Sequence, residues 1–142
     1  MIEGISLHIE KRITNPKGDI FRGIKKSSKG FLGFGEMYFS TVAPGAIKGW
    51  KCHQRVTLNI VVPVGEVRFV LFDDRVTSKT KGCFNEIFLG TEDYNRLTVP
   101  PSIWMAFQGV GNPLNLLCNT IDEEHNPAES DNRDLEDIKF CW

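Results

Sequence analysis

Lys51 and His53 stand two residues apart in the stretch Trp50-Lys51-Cys52-His53-Gln54-Arg55. Residues two apart in a strand project from the same face, so this spacing puts an ammonium and an imidazole side by side. Such a pair suits proton abstraction next to a carbonyl, where an imidazole takes the proton and a cation meets the charge developing on oxygen. A neighbouring cation also favours the neutral imidazole, the form that acts as a base. His53 is therefore the candidate base and Lys51 its electrostatic support, with Arg55 on the same parity extending the basic row. Cys52 falls on the opposite face and reads as packing. Tyr38, Tyr94, Glu36 and Asp134 are available as proton donors or orienting partners, and Asp134 is taken as the acid that orients His53. Trp50 and Trp104 either stack on a base or sugar or serve as core or interface aromatics.

The elements that must hold these groups are short. Apolar and polar residues alternate in Ile5-Ser6-Leu7-His8-Ile9, and similar segments run over Gly35–Val42, Ala46–Trp50, Thr57–Val62, Val67–Asp73, Cys83–Leu89, Arg96–Val99, Ile103–Gln108 and Leu114–Asn119. Turn chemistry separates them at Asn15-Pro16-Lys17-Gly18, Ala43-Pro44-Gly45, Pro63-Val64-Gly65, Asp73-Asp74-Arg75 and Gly109-Val110-Gly111-Asn112-Pro113. Closely spaced strands of this kind predict a sandwich or jelly-roll barrel. Two of them, Leu58–Val62 and Phe69–Phe72, are almost continuously apolar, which predicts cover on both faces, a second subunit being one source. The acidic stretch from Asp122 to Asp137 predicts an exposed arm or one short C-terminal helix over Leu135 and Ile138, and Lys25-Lys26-Ser27-Ser28-Lys29 a solvated loop.

The chain's 142 residues suit one domain, residues 1–142. A formal net charge of −1 gives no global attraction for nucleic acid. Cys52, Cys83, Cys118 and Cys141 show no metal or redox spacing and read as reduced thiols of a cytoplasmic protein. No stretch approaches the roughly 20 apolar residues of a membrane span.

From Gly45 to Gly65 the spacing resembles the first cupin motif, whose metal-ligand positions are here Lys51, His53 and Leu58. Around Pro100-Pro101-Ser102-Ile103-Trp104-Met105 the second motif's metal-binding His is replaced by Met105. One imidazole cannot hold a divalent ion alone, so no metal and no other cofactor is expected. Asp19-Ile20-Phe21-Arg22-Gly23, Lys48-Gly49-Trp50-Lys51, Gly65-Glu66-Val67 and Val99-Pro100-Pro101-Ser102 resemble, in that order, the D-x-R-G, R-G-L-H, G-E-V and I-P-P-G segments of the dTDP-4-dehydrorhamnose 3,5-epimerase family of metal-free cupins. The resemblance spans roughly Gly18 to Asp137. It implies an all-β, cupin-type jelly-roll barrel and an epimerase or keto-sugar isomerase acting on a dTDP-linked 4-keto-6-deoxyhexose in polysaccharide or deoxysugar biosynthesis. It also implies a homodimer and phosphate contacts from Arg22 and Lys48; Arg55 is taken as a third phosphate contact from its place in the basic row, Trp50, Tyr38, Asn59 and Trp104 as further substrate contacts, and no membrane or nucleic-acid partner is expected. The family's base, enolate-binding Lys and acidic Tyr fall at Lys51, near Leu58 and near Leu117, and all three are replaced. A sugar-nucleotide-binding cupin without catalysis, or a scaffold for a partner enzyme, is the alternative.

Overall fold

The computed structural model describes residues 1–142, and every alternating segment forms a strand. In chain order these are β1 (Ser6–Ile9), β2 (Arg12–Ile13), β3 (Ile20–Phe21), β4 (Glu36–Val42), β5 (Ile47–His53), β6 (Leu58–Val64), β7 (Glu66–Phe72), β8 (Phe84–Gly90), β9 (Asn95–Val99), β10 (Trp104–Gly109), β11 (Asn115–Ile121) and β12 (Ser130–Arg133). Two antiparallel five-stranded sheets result, one ordered β1-β9-β6-β11-β4 and the other β12-β5-β10-β7-β8, with β2 and β3 as a separate hairpin. This is the expected cupin-type jelly roll. No helix is long and apolar enough to cross a membrane.

The sheets face each other across a core that includes Val42, Leu58, Ile60, Val62, Phe69, Leu71, Leu89, Leu97 and Leu117. Burying each such side chain stabilises the fold by roughly 1.5–3 kcal/mol. A second cluster lies on the outer face of the other sheet, where Trp50, Cys52, Val70, Trp104 and Ala106 pack with Ile138, flanked by Leu135, Phe140 and Trp142. The chain's own C-terminal segment thus covers β7, and Asn59 on the outside of β6 bonds to the carbonyl of Gly30 in the loop after β3. The two apolar strands need no second subunit for their cover.

Two local expectations are corrected. Pro63 and Val64 continue β6, and the reversal falls on Gly65 alone, with φ of 75° and no room for a Cβ against Leu114 and Asn115. The segment after Asp122 is neither a free arm nor a regular helix: it holds a 3-10 turn at Pro127–Glu129, then β12 paired with β5, then a second 3-10 turn at Leu135–Asp137. The β2–β3 hairpin was not foreseen, two-residue strands being too short to show a period.

One buried polar knot fixes the turn after β7. Asp73, fully buried, accepts from Arg75 Nε at 2.9 Å, Ser78 Oγ at 2.6 Å and Thr80 Oγ1 at 2.6 Å. The Arg75 guanidinium holds this carboxyl far below its usual range, against the opposing effect of burial.

Candidate active site

Between the β4 edge of one sheet and β5 of the other lies a cavity of about 320 Å³, a volume suited to part of a small ligand. His53 and Lys51 line it from β5, Tyr38 and Ser40 from β4, Leu58 and Ile60 from β6, Met105 and Phe107 from β10, and Leu117 and Asn119 from β11. The expected pairing of Lys51 with His53 on one face therefore holds. Lys48 also lines the cavity, although strict alternation would turn it away from Lys51. A bulge explains this, since Met105 and Phe107 of β10 pair with Lys51 and Lys48, so Gly49 and Trp50 of β5 together oppose Ala106 alone.

His53 is oriented by an acid that sequence reasoning missed. Its Nδ1 lies 3.0 and 3.1 Å from the carboxylate oxygens of Glu129, and the Gln54 amide donates to Glu129 Oε1 at 3.0 Å. A carboxylate can only accept, so Nδ1 carries the proton, and in the neutral ring Nε2 is left as a bare lone pair. No protein group bonds Nε2. Glu129 is 3% exposed. Burial pushes its carboxyl up, but the His53 hydrogen bond and charge, with the Gln54 and Arg55 amides, outweigh this and hold it below its ordinary value. Asp134, taken as the orienting acid, instead forms a capping box with Asp137 at the second 3-10 turn.

The other walls are simpler. Lys51 has no hydrogen-bond or ion-pair partner in the protein, so its ammonium is free to meet a ligand. Lys48 sits exposed at the rim, donating to Ser40 Oγ at 2.8 Å across the gap between sheets. The Tyr38 hydroxyl lies 2.8 Å from Asn119 Nδ2, and burial raises its pKa, the Asn119 bond opposing. At the mouth, Glu36 and His125 join Tyr38, Lys51 and His53, with the His125 backbone amide donating to Glu36 Oε2 at 2.7 Å. The His53 carbonyl is held by the Ser102 amide at 2.7 Å, and Ser102 adopts φ of 67°, a left-handed conformation cheapest for glycine.

Five expected substrate contacts do not reach the cavity. Trp50 and Trp104 alternate to the outer face of their sheet, where Trp50 is 1% exposed and Trp104 carries the Arg133 guanidinium at 4.2 Å. Asn59 points outward between Leu58 and Ile60, and its side-chain oxygen accepts from Arg96 and Thr98. Arg55 lies beyond the end of β5, 58% exposed and paired with Glu123 at 3.0 Å. Arg22 lines a basic groove with Lys11, Lys25, Lys29 and Arg96. That groove is on the outside of the β1-β9-β6-β11-β4 sheet, because Arg96 contacts the outward side of β6.

No family model matches the chain. The spore coat polysaccharide biosynthesis protein SpsL of Bacillus subtilis is 26% identical over 147 aligned positions, covering 100% of this chain and 97% of its own. A dTDP sugar isomerase from Desulfovibrio desulfuricans G20 superposes with a TM-score of 0.92 at 34% identity, over 95% of this chain and 87% of that one. NovW, a 4-keto-6-deoxy sugar epimerase from Streptomyces spheroides, superposes with a TM-score of 0.83 at 19% identity over 92% of this chain and 69% of its own. The last shares the fold.

Proposed function

The chain belongs to the dTDP-4-dehydrorhamnose 3,5-epimerase-like family of dTDP-sugar epimerases and isomerases, as a divergent member, and on that premise we propose that it epimerises or isomerises a dTDP-linked 4-keto-6-deoxyhexose for polysaccharide or glycan biosynthesis. The observation that carries the reading is one cavity holding an imidazole locked by Glu129 with Nε2 free, beside the unpartnered Lys51 ammonium. In this reading His53 Nε2 removes the proton alpha to the ketone and Lys51 stabilises the enolate oxygen. Leu58, Ile60, Met105 and Leu117 present an apolar wall suited to a deoxy carbon, and Lys48 at the rim meets the diphosphate. Lys51 and His53 thus occupy the stretch of β5 where the family carries its base, and the enolate-binding cation has moved from the Leu58 position to Lys51.

Ligand binding tests the reading. A ligand that binds only the native state stabilises it by about 2.7 kcal/mol at one hundred times its dissociation constant. In a thermal-shift titration dTDP is expected to raise the midpoint more than UDP, GDP or CDP. No shift with any of the four would contradict the assignment.

We also propose a homodimer formed through the outer face of β4. Met37 and Phe39 there are 51% and 60% exposed, next to Leu32 and Phe34 in the preceding loop, so large apolar side chains cluster on a face that nothing in the chain covers. Sedimentation should give twice the mass of the 16.1 kDa chain, and a monomer would refute the dimer. The four cysteines are free thiols, which fits a reducing cytoplasm.

A further inference from the structure

We propose that Tyr38 is the catalytic acid, donating its proton to the face of the sugar opposite His53, so that the enzyme inverts a carbon rather than shifting the carbonyl. The inference rests on the reading of the cavity given above and adds the missing second proton-transfer group. At the β11 position where the family carries its acidic Tyr stands Leu117, which has no proton to give. Two residues further along β11 is Asn119, whose direct cross-strand partner on β4 is Tyr38. The hydroxyl has in effect moved to the neighbouring strand and still lines the same cavity.

The hydrogen bonds around Asn119 decide which way the Tyr38 proton points. The Asn59 backbone amide lies 3.2 Å from the Asn119 side-chain oxygen. A backbone N–H can only donate, so it must meet Oδ1, which fixes the orientation of the amide. Nδ2 is then the atom 2.8 Å from the Tyr38 oxygen, and an amide NH2 can only donate. The Tyr38 oxygen therefore accepts, leaving its own O–H without a protein acceptor and free for a ligand. Burial raises the phenol pKa above its usual 10.0, which keeps that proton in place at neutral pH.

Opposition follows from the sheets. His53 comes from β5 and Tyr38 from β4, strands of the two facing sheets, so a planar enolate between them meets one on each face. His53 Nε2 takes the C–H proton, the C–H electron pair becomes the C=C bond, and the carbonyl π pair moves to oxygen beside Lys51. In the return step the enolate reforms the ketone while the C=C pair takes the proton from Tyr38. The resulting phenolate regains a proton from water and the imidazolium loses one to water, so nothing is consumed. A carbonyl shift would need one group to carry the proton between neighbouring atoms on one face.

The test is turnover of a dTDP-linked 4-keto-6-deoxyhexose in D2O, with configuration and deuterium content of the sugar read by NMR. Wild-type protein should give inverted, deuterated sugar. Tyr38→Phe should lower inversion about 100-fold while exchange with retained configuration continues at His53. Inversion that persists in the variant, or exchange and inversion lost by the same factor, would overturn the role of Tyr38. Absence of exchange in the wild type would instead overturn the underlying reading, and this inference with it. Should Tyr38→Phe fail to fold, 3-fluorotyrosine at position 38 keeps the ring and makes its hydroxyl more acidic. It leaves unchanged the other titratable groups facing the site, Glu36, Lys48, Lys51, His53, His125 and Glu129. The basic limb of kcat should then move to lower pH, and an unmoved limb would refute the assignment.

Discussion

His53→Ala is expected to lower turnover of the keto-sugar nucleotide by about 1,000-fold, the size of effect that removal of a positioned general base produces. Affinity for dTDP should change little, because in the proposed reading the diphosphate meets Lys48 at the rim rather than His53. The cavity's remaining lining contains no second imidazole and no carboxylate, and His125 stands at the mouth rather than inside. Solvent exchange at the carbon alpha to the ketone should therefore vanish together with turnover. The same exchange rate in the variant and the wild type would remove His53 from the mechanism. The fold should survive, since His53 is the last residue of its strand and the Glu129 carboxylate keeps the Gln54 and Arg55 backbone amides when the imidazole is removed.

Glu129→Ala is the second large effect, and it combines activity with stability. Removing the buried carboxylate strands one donor, His53 Nδ1, while the Gln54 amide keeps the backbone carbonyl of residue 129 at 2.9 Å. Leaving such a group unpaired costs about 2 kcal/mol, to be read as a lower thermal midpoint. The imidazole also loses the partner that fixes its tautomer, and kcat should fall about 100-fold with KM nearly unchanged. A variant with normal kcat and only a lower midpoint would make Glu129 structural alone. Glu129→Gln keeps one acceptor oxygen and should lie between the two. The pH dependence has a definite sign. The Glu129 carboxyl is held below its ordinary value in the fold, so its contribution is complete above the unfolded value of about 4.3. That contribution is lost as pH falls through the depressed native value, so Glu129→Gln should be less acid-sensitive than the wild type in this window.

The strands were legible because turn residues punctuate a period of two, and parity alone placed Lys51 and His53 together and Cys52 behind them. Parity does not say which face is inside, however, and it breaks at bulges. Trp50 and Trp104 were offered a ligand role, yet they share the outward parity of Cys52 and serve the cluster under the C-terminal segment. Lys48 reaches the cavity only because β5 carries an extra residue opposite Met105–Phe107.

The acid that orients His53 leaves little trace in the sequence. Glu129 is separated from His53 by 76 positions and lies in a stretch rich in Asp, Glu and Asn with no apolar period. Such a stretch reads as solvated unless its pairing with β5 is known. One signal was available: Asn126-Pro127 with Ser130 marks a capped turn, and a turn followed by a short strand returns the chain to a sheet. Asp134 offered the same chemistry five residues later, and only the register of β12 against β5, Ser130 opposite His53, distinguishes the two. Arg22 matched a family segment, but the hairpin of β2 and β3 carries it to the outside of the sheet.

In the proposed reaction this cavity makes and reprotonates an enolate of a nucleotide-linked keto-sugar. Incubating the wild-type protein with a dTDP-linked 4-keto-6-deoxyhexose in D2O and following the alpha carbon by NMR tests it most directly. Deuterium incorporation that requires His53 is the result expected, with inversion at the exchanged carbon. Tight binding of the sugar nucleotide with no deuterium entering at any carbon would contradict it and leave a binding protein built on an epimerase fold.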